Sequence, residues 1–245
     1  MSSADNKKPL VVITGASSGI GEAAAISFSE AGHPLLLIAR RLERLEQLKL
    51  PNTICSKVDV TDLDLLKKSI SEAESKYGPC DCLVNNAGVM LLGTADKQDP
   101  KEWQQMVNVN IMGVMNGIHV VLPGMIERKQ GTILNISSIA GRKTFPNHSV
   151  YCGTKFGVHA LTEQIREEAA PYNVRLITIA PGVVETELLG HTTSDEIKNN
   201  YKEWKKTVGK VLESEDVARS ILFAYQQPPH VCIREIVLCP TRQDR

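Results

Sequence analysis

The feature that most constrains the fold is an alternation of short apolar runs with longer amphipathic segments along the whole chain. The apolar runs are rich in Val, Ile and Leu, which is typical of strands covered on both faces. They lie at 10–14, 35–39, 53–58, 81–85, 132–137, 174–179 and 234–238. The segments between them have helical spacing and lie at 20–31, 41–48, 62–76, 100–128, 150–171 and 214–227. Because strand–helix repeats form right-handed crossovers, the pattern predicts a doubly wound α/β fold with a seven-stranded parallel sheet flanked by helices.

The chain shows no internal division. No Pro-, Gly- or Ser-rich linker and no fixed-period repeat interrupts its 245 residues, so we expect a single domain over 9–245 after a disordered tail at 1–8. Residues 185–210 are polar and long for a connection, and such connections are usually either functional or mobile. We expect them to form a substrate-binding lid, called the lid segment below.

Composition and charge argue against several functional classes. Lys plus Arg and Asp plus Glu each number 28, so no net charge draws the protein to nucleic acid or to an anionic membrane. The longest uninterrupted apolar runs are far shorter than the roughly 18–20 residues that cross a bilayer, and residues 1–8 lack the apolar stretch of a signal peptide. Six cysteines and six histidines are dispersed without metal-ligand spacing, which predicts reduced thiols, a cytoplasmic location and no metal site.

A glycine-rich loop follows the first predicted strand and opens the first helix. Glycine permits a tight turn and close approach of a pyrophosphate, and the unpaired amides of a helix N-terminus face the anion. The position of the loop therefore predicts a dinucleotide site, although a purely structural turn would also account for the glycines. Its members are Gly15, Ser17, Ser18, Gly19, Ile20 and Gly21.

The end of the second predicted strand indicates which dinucleotide is bound. NAD enzymes usually carry an acidic residue there, whereas this strand ends in Arg40 and Arg41. A guanidinium suits a 2′-phosphate because its fork pairs with two oxygens. The alternative, that both arginines are simply solvated at a helix start, is weaker because a cation is unfavourable beside the positive end of a helix dipole. We therefore predict NADP(H) rather than NAD(H).

Tyr151 and Lys155 lie four residues apart, on one face of a predicted helix. A free tyrosine has a pKa near 10, too high for easy proton exchange at neutral pH. A nearby ammonium stabilises the phenolate, while burial opposes it. The pair is common on surface helices, so it indicates catalysis only together with other motifs.

Those motifs are present, and together they resemble one family. Further motifs follow the fourth, fifth and sixth predicted strands, and they are Asn85-Asn86-Ala87-Gly88, Asn110, Ser137-Ser138 and Pro181-Gly182. With the glycine loop and the Tyr/Lys pair, this set resembles the short-chain dehydrogenase/reductase family, in the branch with chains of this length. The resemblance covers the chain after its N-terminal tail and implies a Rossmann fold. Within the family, the chain is similar to NADP-dependent 3-hydroxy-acid and serine dehydrogenases and to bacterial NADPH-binding members noted for blue emission.

The resemblance implies four catalytic residues. Tyr151 is the general acid for reduction and the base for oxidation, and Lys155 lowers its pKa and holds the nicotinamide ribose. A serine polarises the substrate oxygen, and of Ser137 and Ser138 the family spacing selects Ser138. Asn110 helps to hold a relay water near the lysine, unless it is a buried asparagine that only satisfies backbone groups.

The resemblance also implies the remaining cofactor contacts. Asp59 and Val60 contact adenine, although Asp59 could instead cap the next helix. The segment beneath the adenine-side ribose is Asn86, Ala87 and Gly88. The nicotinamide is held by Pro181, Gly182, Val184 and Thr186, with Thr186 bonding the carboxamide.

These assignments predict an NADP-dependent oxidoreductase acting on CH–OH groups, a carbonyl reductase that is an alcohol or hydroxy-acid dehydrogenase in reverse. A non-catalytic NADPH-binding sensor is the main alternative, but such proteins usually lack the Tyr/Lys pair, and sugar-nucleotide epimerases are usually longer. Family members usually form tetramers, so we expect a homotetramer or homodimer that packs through 100–128 and 150–171. Cys152 is interpreted as a packing residue. His148 is interpreted as a surface-loop residue near the mouth of the active site, with contact to the substrate as the alternative.

Overall fold

The computed structural model describes residues 8–243, so all of the predicted tail except Lys8 lies outside the described residues. One sheet of seven parallel strands has the order β3-β2-β1-β4-β5-β6-β7. The strands are β1 Leu10–Thr14, β2 Leu35–Ala39, β3 Thr53–Lys57, β4 Cys80–Asn85, β5 Gly131–Ile136, β6 Val174–Pro181 and β7 Glu235–Leu238. The α-helices are α1 Gly19–Glu30, α2 Leu42–Gln47, α3 Leu63–Tyr77, α4 Pro100–Val107, α5 Gly113–Glu127, α6 Ser149–Ala169, α7 Asp195–Val208 and α8 Ser214–Tyr225. The predicted doubly wound fold and its seven strands are confirmed.

The sheet is covered by helices on both faces, which explains why its strands are almost wholly apolar. Successive side chains of β1 point to opposite faces. Val11 and Ile13 pack in a cluster with residues of α1 and α8, whereas Leu10 and Val12 pack with residues of α3, α5 and α6. Every residue of β1 is buried, so neither face of this strand tolerates a charged side chain.

The strand order places a crevice at the carboxyl end of β1. The chain moves from β1 to β2 and β3 on one side, and then returns to β4 on the other side of β1. Loops that leave β1 and β4 therefore diverge, and ligands of open α/β sheets bind at such a switch point.

Two helical segments differ from the prediction. The helix predicted over 100–128 is interrupted by a π-helical turn at Asn108–Met112, which separates α4 from α5. The lid segment, expected as a connection, contains a short 3₁₀ turn at Glu187–His191 and the whole of α7. Its spacing of Ile197, Tyr201 and Trp204 is that of a helix with one apolar side, a signal that the high polarity of the segment concealed.

Residues Pro100–Glu127 are long and apolar enough, by length and composition, to cross a membrane. The count of uninterrupted apolar runs missed this stretch because Asn, Gly and His divide it. Its side chains at Val114, Ile118 and Val121 are buried against the sheet, as in the core helix of a folded domain.

Candidate active site

The glycine-rich loop between β1 and α1 is attached to the end of β4 by a set of hydrogen bonds. The Thr14 hydroxyl accepts from the backbone amides of Asn86 and Ala87, at 3.0 and 3.1 Å. In return, the Asn86 side-chain amide donates to the carbonyls of Thr14 and Gly15, at 3.0 and 3.2 Å. The loop is thus fixed at the crevice between the two diverging strands.

Two glycines in this loop are required by the backbone. Gly15 has φ +66°, and a Cβ there would lie 2.8 Å from the Ala87 Cα. Gly19 has φ +59° at the start of α1, where a Cβ would lie 3.1 Å from the Thr186 Cγ2. The bare backbone lets a phosphate approach the helix N-terminus. Gly21 is different, because it packs under the loop against the Gly15 carbonyl and does not line the crevice.

Arginines that follow β2 lie at the far end of the crevice. Arg40 and Arg41 both line it. The Arg41 guanidinium donates to the hydroxyls of Ser17 and Ser18, at 3.1 and 2.9 Å, so it lies against the glycine loop. Arg44, which was not predicted, joins Arg41 in binding Glu187. It lies within α2, four residues after Arg40, and this proximity in the sequence was the available signal.

Asp59 and Val60 line the crevice below the arginines. The alternative role for Asp59, capping the next helix, is wrong, because the Asp62 carboxylate accepts from the Leu65 amide and caps α3. Asp59 instead accepts from the amide and the hydroxyl of Thr61, at 3.0 and 2.8 Å.

Tyr151 and Lys155 lie together on α6 at the near end of the crevice. Both are buried, and the Lys155 Nζ is 5.8 Å from the centre of the Tyr151 ring. The ammonium donates to the Ile136 carbonyl at 2.9 Å, which holds it under the carboxyl end of β5. Burial lowers the pKa of Lys155 to about 8, close to neutral pH.

Burial also raises the pKa of Tyr151, against an opposing hydrogen-bond interaction with the Ser138 hydroxyl. Desolvation sets the direction of this shift, and the expected lowering of the pKa by Lys155 stays a prediction. Desolvation dominates because the phenol is inside the protein. At neutral pH the Tyr151 side chain is a protonated phenol and a proton donor.

Two neighbouring serines at the end of β5 have different surroundings. Ser138 interacts with Tyr151, and its hydroxyl accepts from the Ala140 amide at 3.0 Å. The buried Ser137 hydroxyl instead lies 2.9 Å from His159 Nδ1 and donates to the Lys155 carbonyl at 3.1 Å. On the other side of the ring, His159 Nε2 lies 2.9 Å from Glu235 Oε1. Sequence reasoning missed this second network because Glu235 is far away in the chain.

Asn110 lies in the π-helical turn, and its side chain is fully used by protein groups. Its amide oxygen accepts from the Val89 amide at 2.9 Å, and its nitrogen donates to the Val89 carbonyl and the Thr154 hydroxyl, at 3.0 and 3.1 Å. The turn is thereby bound to the segment that follows Gly88. These bonds fit the alternative of a buried asparagine that satisfies backbone groups, and the expected role in holding a relay water stays a prediction.

A second cleft adjoins the crevice at Tyr151 and encloses about 780 Å³. The lid segment and the loop before α6 form its walls, with Ser138 at its base. The expected nicotinamide contacts divide between the clefts, since only Thr186 of them borders the crevice. Pro181, Gly182 and Val184 line the second cleft.

The structure also places three other residues, two histidines and a cysteine, at or near the two clefts. His148, expected on the surface, lies in the wall of the second cleft, and burial lowers its pKa. His191 of the lid segment borders the crevice near Arg40. Cys152 is buried, and burial raises the pKa of its thiol, which fits a packing residue.

Comparison with known proteins shows which family has a similar sequence and fold. The family model for short chain dehydrogenases matches residues 9–197. An uncharacterized oxidoreductase of Staphylococcus saprophyticus is 40% identical over 243 residues, or 97% of this chain and 98% of that protein. The closed form of serine dehydrogenase complexed with NADP+ superposes with a TM-score of 0.89 at 30% identity over 96% of each chain.

A third relative has a different activity in its name. The alcohol dehydrogenase of the archaeon Thermococcus sibiricus, complexed with 5-hydroxy-NADP, has a TM-score of 0.85 at 25% identity, over 97% of this chain and 99% of that one. The match of sequence and of fold over nearly the whole chain leads to one conclusion. The protein belongs to the short-chain dehydrogenase family of oxidoreductases.

Proposed function

We propose that this protein is an NADPH-dependent carbonyl reductase, which in reverse oxidises an alcohol. One observation carries the proposal. A protonated phenol, Tyr151, stands with the Ser138 hydroxyl where a cleft suited to a dinucleotide meets a cleft suited to a substrate.

The residues of the crevice fit NADP(H). The bare backbone at Gly15 and Gly19 admits the pyrophosphate, and the guanidinium of Arg41, with Arg44 bound to the same Glu187, suits the 2′-phosphate. Thr186 borders the end nearest Tyr151, where a hydroxyl can bond the carboxamide. When bound, the cofactor supplies the hydride, and the serine dehydrogenase and alcohol dehydrogenase named above both carry an NADP-type cofactor.

The chain's own residues supply and guide the proton. Ser138 donates a hydrogen bond to the substrate carbonyl and orients it, while Tyr151 delivers the proton to the developing alkoxide. General acid catalysis of this kind contributes about a hundred- to ten-thousand-fold in rate. Lys155, with a pKa of about 8, is near the value at which an ammonium can return that proton.

The Tyr151→Phe variant tests this function. Wild-type protein should oxidise NADPH in the presence of aldehydes, ketones or β-keto esters, followed by the loss of NADPH absorbance. The variant should bind NADPH with unchanged affinity and lose turnover. NADPH binding without turnover of any carbonyl by the wild type would favour the non-catalytic sensor instead.

We also propose that the protein acts in the cytoplasm as an assembly of two or four copies. Apolar side chains stand exposed along α4, the π-helical turn and α6, at Val107, Met112 and Phe156. A Cβ at Gly153 would meet nothing within 4 Å, so it lies on the same open surface, whereas Gly157 packs internally against Ile111. Light scattering on wild type and on Phe156→Glu tests the assembly, since a buried glutamate should dissociate it.

A further inference from the structure

The second cleft is much larger than a short hydroxy acid requires. Its volume of about 780 Å³ falls within the range of roughly 300–1,000 Å³ that encloses drug-sized ligands. The reacting carbonyl is placed at one end of it by Ser138 and Tyr151, so the rest of the volume is available to a substituent.

The walls of this volume are aromatic. His148 is the centre of a group of rings, with centroids 5.7 Å from Phe145, 6.1 Å from Tyr151 and 6.2 Å from Tyr201. Trp204 extends the group, at 5.2 Å from Tyr201. These separations are those of interacting rings, and the group leads from the catalytic phenol to α7. A planar substituent can therefore remain in contact with rings along the cleft.

The rest of the lining near the reaction centre is apolar. Met90, Leu92, Leu188 and Ile197 line the cleft and pack with Tyr151 in one cluster. Thr192 connects the lid segment to this cluster, because its hydroxyl donates to the Met90 carbonyl and accepts from the Leu92 amide, both at 3.2 Å. The apolar wall is thus held in place from both sides.

Two of the three lysines that border the cleft are already paired. Lys205 forms an ion pair with Glu185, and the Lys198 Nζ lies 2.6 Å from Asp195 Oδ1. Lys202 also borders the cleft, but it is exposed to solvent, where an ion pair with a substrate would be weak. A substrate carboxylate would lose its hydration beside these walls, and it would have to break an existing ion pair to gain more than this weak compensation.

The half-buried His148 does not supply a cation either. His148 Nδ1 lies 2.5 Å from the Pro146 carbonyl, which can only accept, so this nitrogen carries the proton. Burial lowers the pKa of the ring, so that at neutral pH its second nitrogen is unprotonated. His148 therefore presents a neutral ring to the cleft.

From size, rings and paired charges we infer that the substrate is an uncharged carbonyl compound with a bulky, preferably aromatic substituent, rather than a short keto or hydroxy acid. The inference rests on the proposed function and narrows it. In the reaction the carbonyl carbon gains a hydride with its two electrons and the oxygen gains the Tyr151 proton. The C=O group becomes CH–OH while NADPH is oxidised to NADP+.

A set of four α-keto substrates separates the two requirements. Ethyl benzoylformate has an aromatic ring and no charge, and benzoylformate has the ring and a negative charge. Ethyl pyruvate has no ring and no charge, and pyruvate has the charge without the ring. We expect kcat/KM with NADPH to be at least tenfold higher for each ester than for its acid, and highest for ethyl benzoylformate. A higher kcat/KM for either acid than for its ester would overturn the inference and leave the reductase function standing.

Two variants test the structural reasons. Trp204→Ala should raise KM for ethyl benzoylformate several-fold with little change for ethyl pyruvate, and Glu196→Ala, exposed on the same helix away from the cleft, is the matched control. Glu185→Gln should free Lys205 and raise kcat/KM for benzoylformate without a gain for its ester. Its control is Glu203→Gln, which removes a carboxylate paired with Lys206 outside the cleft. An unchanged ester-to-acid ratio in Glu185→Gln contradicts the charge argument.

Measuring binding without turnover tests the substrate preference of the second cleft separately from the proposed reductase function. Ethyl benzoylformate should quench the fluorescence of Trp204 in Tyr151→Phe saturated with NADPH, and the quench should be lost in the Trp204→Phe background. If the ester binds while no carbonyl is reduced by wild type, the reductase function fails and the preference of the cleft stands. If benzoylformate binds more tightly than the ester, the inference fails.

Discussion

Glu187 of the lid segment accepts a hydrogen bond from Arg41 at 2.9 Å. Its other carboxylate oxygen lies 2.7 Å from Arg44. The arginines that suit a 2′-phosphate are therefore joined to a residue that adjoins both clefts. The two guanidiniums hold the pKa of this carboxyl at about 2, so it is ionised throughout the pH range of an assay.

Removing this charge should strengthen NADPH binding. In Glu187→Gln the arginines lose a competing anion, and we expect KM for NADPH to fall by a few-fold, because exposed ion pairs are individually weak. The effect should diminish at high salt, which screens such pairs. Since the Glu187 pKa is lowered, its ion pairs persist above about pH 4 and are lost only as pH falls towards 2. A rise in KM for NADPH would contradict the prediction.

Arg41 should determine cofactor preference more than Arg40 does. It bonds Ser17 and Ser18 of the glycine loop and is therefore held in place, whereas Arg40 is exposed. A charged hydrogen bond contributes about 1.5–3 kcal/mol, so Arg41→Ala should reduce the ratio of NADPH to NADH affinity by roughly ten- to a hundred-fold. Arg40→Ala serves as the matched comparison in titrations with both cofactors. A larger loss for Arg40→Ala would reverse the assignment.

Substitution of the two serines after β5 should have different effects, on catalysis for Ser138 and on stability for Ser137. Ser138→Ala should lower kcat strongly and leave NADPH affinity unchanged, because its hydroxyl faces Tyr151 and the substrate cleft. Ser137→Ala removes a buried hydroxyl between His159 and the Lys155 carbonyl, and should cost about 1–3 kcal/mol of unfolding free energy. Urea denaturation and steady-state kinetics of both variants check this. An equal loss of kcat in the two variants would show that the family spacing does not select one serine.

The lowered pKa of Lys155 should change how the stability of the fold depends on pH. Burial lowers its pKa to about 8 in the folded protein, so between about pH 8 and 10.5 the unfolded chain binds a proton that the folded chain does not. Stability conferred by this group therefore rises with pH in that window. Compared with Lys155→Met, wild type should gain in Tm as pH increases from 8 to 10, whatever the difference at pH 7. The exposed Lys206→Met should show no such trend, and a parallel pair of Tm curves for Lys155→Met would refute the assignment.

Features that depend on residues close together in the chain could be predicted from the sequence. Alternation of apolar runs predicted all seven strands, because a strand covered on both faces must be apolar at every position. The glycines at 15 and 19 predicted a close backbone approach, since a side chain at positive φ is strained. Tyr151 and Lys155 were predicted as a pair because a helix brings residues four apart to one face.

Contacts between segments that are far apart in the chain could be found only from the folded structure. Arg41 and Glu187 are 146 positions apart, and His159 and Glu235 are 76 apart, so no local pattern connects them. The direction of the Tyr151 pKa also required the structure, because it depends on whether burial or a nearby charge is stronger. Burial, contact and charge pairing arise when separate elements pack together, and they decide which of the predicted residues face the substrate.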